Sequence, residues 1–182
     1  MAPRLTPVCA LSRFASAVVL FLSLGGVAEA QTGDAYFEFL MARRFEAQGD
    51  HTGALEALER AAASDATSAA IRAEIASFHL RRNERDDAER EALLALRLDD
   101  GSRQAHRVLG VIYAADVEAM NARTPRTQVD ARARQAISHL EQATSGAAYG
   151  VGIQIYYALG QLYERTRDAA KAVEAFLQVV EQ

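Results

Sequence analysis

Only one cysteine, Cys9, occurs in the chain, and none follows it. Beyond the first thirty residues neither a disulfide framework nor thiol chemistry is available. Tryptophan is absent and there are three prolines in 182 residues, so long helices can run with few forced breaks. An excess of positive charge is missing too. The chain carries 20 Lys and Arg against 24 Asp and Glu, a net −4, which gives no pull toward nucleic acid. The longest apolar run, Phe14 to Ala28, is fifteen residues, short of the roughly 20 that a comfortable membrane span needs.

That run has a use. Arg4 and Arg13 precede it, and Ala28-Glu29-Ala30 follows as a small-x-small triplet. This is the pattern of a secretory signal peptide over residues 1–30, with cleavage expected between Ala30 and Gln31. A retained N-terminal anchor is the alternative. Cys9 lies ahead of the run and not at the cleavage point, which argues against lipidation. Loss of Arg4, Arg13 and Glu29 leaves 18 basic and 23 acidic residues, a net −5. The expected destination is the periplasm or the extracellular space, with no stable membrane span after cleavage.

Half of the residues are hydrophobic, many of them Ala, a mix that suits a helical domain. Their order repeats. A shift of 34 lays residues 35–68 over 69–102: Met41-Ala42 falls on Ile75-Ala76, Ala54 on Ala88, and Ala61 on Ala95. The same frame brings in Leu109-Gly110 and Tyr113, then Leu159-Gly160, Tyr163, Ala172 and Phe176. Repetition at a fixed period of this length signals stacked units that bury one another's apolar faces. In the first unit Ala54, Leu55, Leu58, Ala61 and Ala62 line one helical face. The small pairs Ala42/Ala54, Ala76/Ala88, Gly110/Ala136 and Gly160/Ala172 stand where two antiparallel helices would cross closely. Gly49 is placed to end a first helix, and Asp86 to Glu89 to start a second.

These residues resemble the tetratricopeptide repeat, a helix–turn–helix unit with a Leu-Gly pair and an aromatic in its first helix. The resemblance covers the chain past residue 30 in four copies: 35–68, 69–102, 103–146 and 153–182. It implies an all-α, right-handed solenoid. It also implies a concave wall of first-helix residues, among them Tyr36, Phe39, Arg43, Ser77, Arg81, Arg107, Val111, Tyr157 and Gln161. Chaperone-tail-binding members grip a peptide carboxylate with basic and amide residues, but Phe39 and Glu74 occupy two of those places here. That clamp is not expected. Arg43, Arg81 and Arg107 remain candidates for an acidic partner segment.

Two features depart from the period. Gly110 and Gly160 are 50 apart, and most of the excess lies near 116–130. Good helix formers from Asp116 to Ala122 predict a lengthened first helix, with Pro125 interrupting and Thr127 capping the next. The alternative is a protruding hairpin that meets a partner. The second feature is the apolar stripe Val173, Phe176, Leu177 and Val180 near the C-terminus, read as a surface for self-association or for a continuing chain.

Signatures of chemistry are missing. His51, His79, His106 and His139 fall one per repeat with no second ligand at i+3 or i+4, so no metal site is expected. Neither a nucleophile elbow nor a phosphate-cradling loop is present, and no cofactor is implied. The expected function is a non-enzymatic scaffold of the cell envelope that binds a segment of another protein. The alternative is the N-terminal interaction module of a longer exported protein or enzyme.

Overall fold

The computed structural model describes residues 33–146 and 152–180, which form eight helices and no strand. They are α1 (33–47), α2 (His51–Ser64), α3 (Ala69–Arg81), α4 (Arg85–Leu98), α5 (Arg103–Ala119), α6 (Arg126–Thr144), α7 (Ile153–Thr166) and α8 (Ala169–Val180). The expected signal peptide lies outside the described residues. No helix among those described is long and apolar enough to cross a membrane.

Three of the four hairpins turn by the same device. Gly49, Asn83 and Arg167 adopt left-handed backbone, with φ of 78°, 61° and 66°. At each, the amide of that residue donates three residues back: Gly49 to Glu46, Asn83 to Leu80, Arg167 to Glu164. The next amide donates five back: Asp50 to Phe45, Glu84 to His79, Asp168 to Tyr163, each at 2.9 Å. This pairing satisfies the last carbonyls of a helix and reverses the chain. The residue after it starts the second helix. The carboxylates of Asp50 and Asp168 accept from the Gly53 and Lys171 amides at 2.9 and 3.2 Å. Glu84 holds the same register, so α4 begins at Arg85 and not with a cap at Asp86 as the sequence pattern predicts. Its longer side chain makes no cap bond and instead meets His79 at 2.7 Å and Arg82 at 2.8 Å.

Within each hairpin the small residues form the crossing. Ala42, Ala54, Ala76, Ala88, Gly110, Ala136, Gly160 and Ala172 are all buried. At Gly110 an added Cβ would meet the Leu140 side chain at 2.5 Å, and at Gly160 it would collide with the Phe176 ring. The absent side chain is therefore what lets the larger partner in.

Hairpins then stack in chain order, giving an all-α solenoid. Two core clusters divide at α3. Its Ile71, Ile75 and Phe78 join Leu58, Ala61 and Ala62 of the first hairpin. Its Ala73 and Ala76 join the larger cluster that runs through to α8. A helix covered on both sides is apolar nearly all round. Polar tethers add to the joints. The Tyr113 hydroxyl donates to Glu89 at 2.8 Å, and Tyr163 to Glu141 at 2.6 Å, each reaching back to the preceding hairpin. Burial, then the carboxylate acceptor, pushes the Tyr113 hydroxyl up to about 12 and Tyr163 upward in the same sense.

The third hairpin replaces the tight turn by residues 120–125, between helices of 17 and 19 residues. Here α5 stops at Ala119, before the predicted Ala122, because the Asn121 side chain accepts from the Arg123 amide at 2.9 Å and turns the chain. The next helix starts at Arg126, directly after Pro125, so Thr127 lies inside its first turn and does not cap it. The added length packs down. Val117 and Val129 are buried, Asp116 joins Arg85 at 2.6 Å to Arg132 at 2.9 Å, and Arg126 donates to the Arg165 carbonyl.

Candidate docking groove

First helices of the four hairpins, α1, α3, α5 and α7, share one side of the solenoid. Between them lies an open groove of about 1210 Å³. Its floor is made of short side chains, including Ala70, Ala73, Ala114 and Ala158, with Ile71, Val111 and Ile155 between them. These short side chains leave room for a guest. Tyr36 and Phe39 stand at the α1 end.

Positive charge in the groove comes from α5. Arg103 and Arg107 are one turn apart and both line it. Arg107 Nε donates to the Gln104 amide oxygen at 3.3 Å, and neither Arg is ion-paired among the described residues. Glu118, Asp65 and Glu74 also line the groove.

Of the residues read from the sequence as groove-lining, Tyr36, Phe39, Arg107 and Val111 are brought together here. Arg43 and Arg81 lie beside the groove, in a closed network with Glu46 and Glu74. Arg43 reaches Glu74 at 3.0 Å and Glu46 at 3.8 Å; Arg81 reaches Glu46 at 2.5 Å and Glu74 at 3.3 Å. Two cations and two carboxylates neutralise each other, so these arginines hold α1 to α3. Ser77 is corrected outright. It is 1% exposed, donates to the Ala73 carbonyl at 2.9 Å and accepts from the Gln104 amide at 2.6 Å. Tyr157 is also outside the groove lining, its ring 5.9 Å from that of Phe176. Gln161 lines a smaller adjoining hollow with Glu118 and Glu164. Arg103 is the residue the sequence reading missed. It opens α5, and only the packing of α3 and α7 shows that its side faces the groove.

Two further groupings were hidden in the sequence. His79, Glu84 and Asp87 bring three potential metal ligands together. Each already has a protein partner, Glu84 for His79, Arg82 for Glu84, and Arg90 at 2.6 Å for Asp87. His106 and His139, from α5 and α6, meet ring to ring.

Family models described as tetratricopeptide repeat match residues 46–112 and 153–182, together more than half of the chain. The chain belongs to the tetratricopeptide repeat family. Solved structures agree in fold. A crystal structure of MamA is 20% identical over 86% of this chain and 82% of that one, with a TM-score of 0.60. PilF of Pseudomonas aeruginosa is 18% identical, over 84% and 62%, with a TM-score of 0.64. The first repeat domain of Spaghetti (RPAP3), bound to the HSP90 peptide SRMEEVD, is 14% identical over 76% and 98%, with a TM-score of 0.54. Among curated proteins none matches the chain in sequence. Membership in the repeat family makes the chain a protein–protein interaction scaffold built as a helical solenoid.

Proposed function

We propose that this repeat protein works outside the cytoplasm and holds a segment of another protein in the groove between α1, α3, α5 and α7. The carrying observation is the pairing of an apolar, small-residue floor with Arg103 and Arg107, neither of them ion-paired among the described residues. Guanidinium groups with no carboxylate partner favour a carboxylate in the guest, and the floor accepts its apolar side chains. The peptide-bound neighbour supports the same mode of use for this fold. Export rests on Arg4, Arg13, the apolar run and Ala28-Glu29-Ala30.

A photo-crosslinking residue at Val111 tests the groove in living cells. An adduct with another protein that disappears in the Arg103→Glu/Arg107→Glu variant is the expected result. An adduct unchanged by that reversal removes the groove assignment. Sequencing the N-terminus of the accumulated protein tests export separately, with Gln31 expected first.

A further inference from the structure

Gln104 stands between a buried hydroxyl and a cation of the groove, and its two amide ends cannot trade places. Ser77 of α3 is 1% exposed, and its hydroxyl lies 2.9 Å from the Ala73 carbonyl. A carbonyl only accepts, so the single Ser77 proton goes to Ala73. The Ser77 oxygen is left able only to accept, and the Gln104 atom 2.6 Å from it has to be the Nε2 donor. The Oε1 end of that amide is thereby turned to Arg107, whose Nε donates to it at 3.3 Å. A carbonyl inside α3 thus sets, through two side chains, the direction of a guanidinium on α5.

Stacking of the hairpins does not require these bonds. At the preceding joint, 34 residues earlier, the places of Ser77, Gln104 and Arg107 are held by Arg43, Ala70 and Ala73. At the following joint they are held by Val111, Gln154 and Tyr157, the last two across the 50-residue interval. Neither joint has the hydroxyl, amide and guanidinium together. They coincide once, where the far end of the chain of bonds, Arg107, lines the groove. Arg103 lines the same wall one turn earlier and has no such hold among the described residues.

We infer that Gln104, with its amide set by Ser77, positions Arg107 for the guest, an inference that rests on the groove reading above. With Nε–H occupied, Arg107 offers the N–H groups of Nη1 and Nη2. The guest carboxylate is then met end-on by the Nη1–Nη2 edge and not side-on through Nε. A guanidinium held before the guest arrives also lowers the ordering cost of binding. Arg103 adds charge, and Arg107 adds direction.

NMR of the purified protein, isotopically labelled at nitrogen, tests the hold without any guest. The Arg107 Nε–H signal is identified by its loss in Arg107→Lys, and that of Arg103 by its loss in Arg103→Lys. Arg107 Nε–H is expected to exchange with solvent more slowly than Arg103 Nε–H. Ser77→Ala and Gln104→Leu should each bring it close to the Arg103 rate, with circular dichroism unchanged. Equal rates in the parent protein, or slow exchange that survives Gln104→Leu, would overturn the proposal; slow exchange that survives Ser77→Ala would remove the share assigned to Ser77. The photo-crosslinked adduct at Val111 tests the consequence for the guest. Gln104→Leu should lower its yield by about two- to tenfold. The same change made in an Arg107→Lys chain should have no further effect, because nothing is left to position. An additive loss there would show that Gln104 serves only the fold, and would overturn the proposal. An adduct indifferent to Arg103→Glu/Arg107→Glu would instead overturn the groove reading and the guest's part in this one, while the exchange rates still decide whether Gln104 holds Arg107.

Discussion

His106 Nδ1 and His139 Nδ1 lie 2.8 Å apart, across the hairpin of α5 and α6. The other ring nitrogen of His106, Nε2, is 2.9 Å from the Asp100 carbonyl, which accepts and so requires a proton on Nε2. In the neutral pair His106 Nδ1 is then the acceptor, and His139 Nδ1–H donates to it. One further proton can enter at His139 Nε2 without breaking this bond. A second puts two N–H groups face to face.

This geometry predicts a stability that depends on pH. Burial first, then the neighbouring His106, holds the His139 imidazole below its ordinary 6.5. A depressed histidine binds fewer protons folded than unfolded, so its contribution is full above about 6.5 and is lost as pH falls through the lowered value. Tyr113, 5.5 Å from His139, and Arg132, 4.1 Å over the Tyr113 ring, add no group that titrates in that window. Urea unfolding at pH 7 and pH 5 should show a lower midpoint at pH 5. His139→Phe should remove most of that difference. The carboxylate of Glu84, lowered by its bonds to His79 and Arg82, acts only below about 4.5 and is distinguishable by its window.

Gly160→Ala sets two effects against each other. Helix propensity alone favours alanine by about 1 kcal/mol. Its Cβ, however, meets the Phe176 ring, and overpacking of a filled crossing costs about 1–3 kcal/mol. The expected result is net destabilisation, seen as a lower thermal midpoint. Phe176→Leu in the same chain should recover part of the loss. A stabilised single variant would mean the α7–α8 crossing has slack.

Arg167 is a branched-off-backbone residue in a place glycine holds at position 49. Left-handed backbone costs an L-residue about 1–2 kcal/mol, while glycine adds roughly 0.4–1 kcal/mol of chain entropy when unfolded. Arg167→Gly is therefore expected to stabilise by about 0.5 kcal/mol or more, and Gly49→Ala to destabilise by about 1 kcal/mol. Paired denaturation curves check both signs.

Once the guest is in hand, Arg103→Glu with Arg107→Glu should weaken its binding at least tenfold, which is about 1.4 kcal/mol. Arg43→Ala should change it little, because Arg43 already answers Glu74 and Glu46 and stands outside the groove lining. Its cost to folding should stay below about 1 kcal/mol, since the network is half-exposed. Titration calorimetry with the guest segment reads the first effect and thermal unfolding the second. Equal losses from Arg43→Ala and the groove pair would contradict the assignment.

The hairpins, their crossings and the reversal at Gly49 were legible along the chain. A helix places residues at fixed angles, so a recurrent pattern of Ala, Gly and Leu names the face that meets a neighbour. The two other reversals were less visible, because Asn83 and Arg167 take the glycine conformation without being glycine. Pattern likewise misplaced the starts of α4 and α6, where turn geometry and Pro125 decide the first helical residue.

The groove separates the two kinds of information most sharply. From the sequence, Arg43, Arg81 and Arg107 were equivalent: each a cation on a first helix. Tertiary structure divided them, because Arg43 and Arg81 each meet a carboxylate from another helix, Glu74 being 31 residues from Arg43 and Glu46 being 35 from Arg81. It also buried Ser77 under Gln104 and joined His106 to His139. Repetition by itself determined a stack of helical hairpins, since apolar spacing acts locally through a rigid helix. Which polar side chains stay free was decided only by the twist between hairpins, which sets the distance between groups that no local pattern relates.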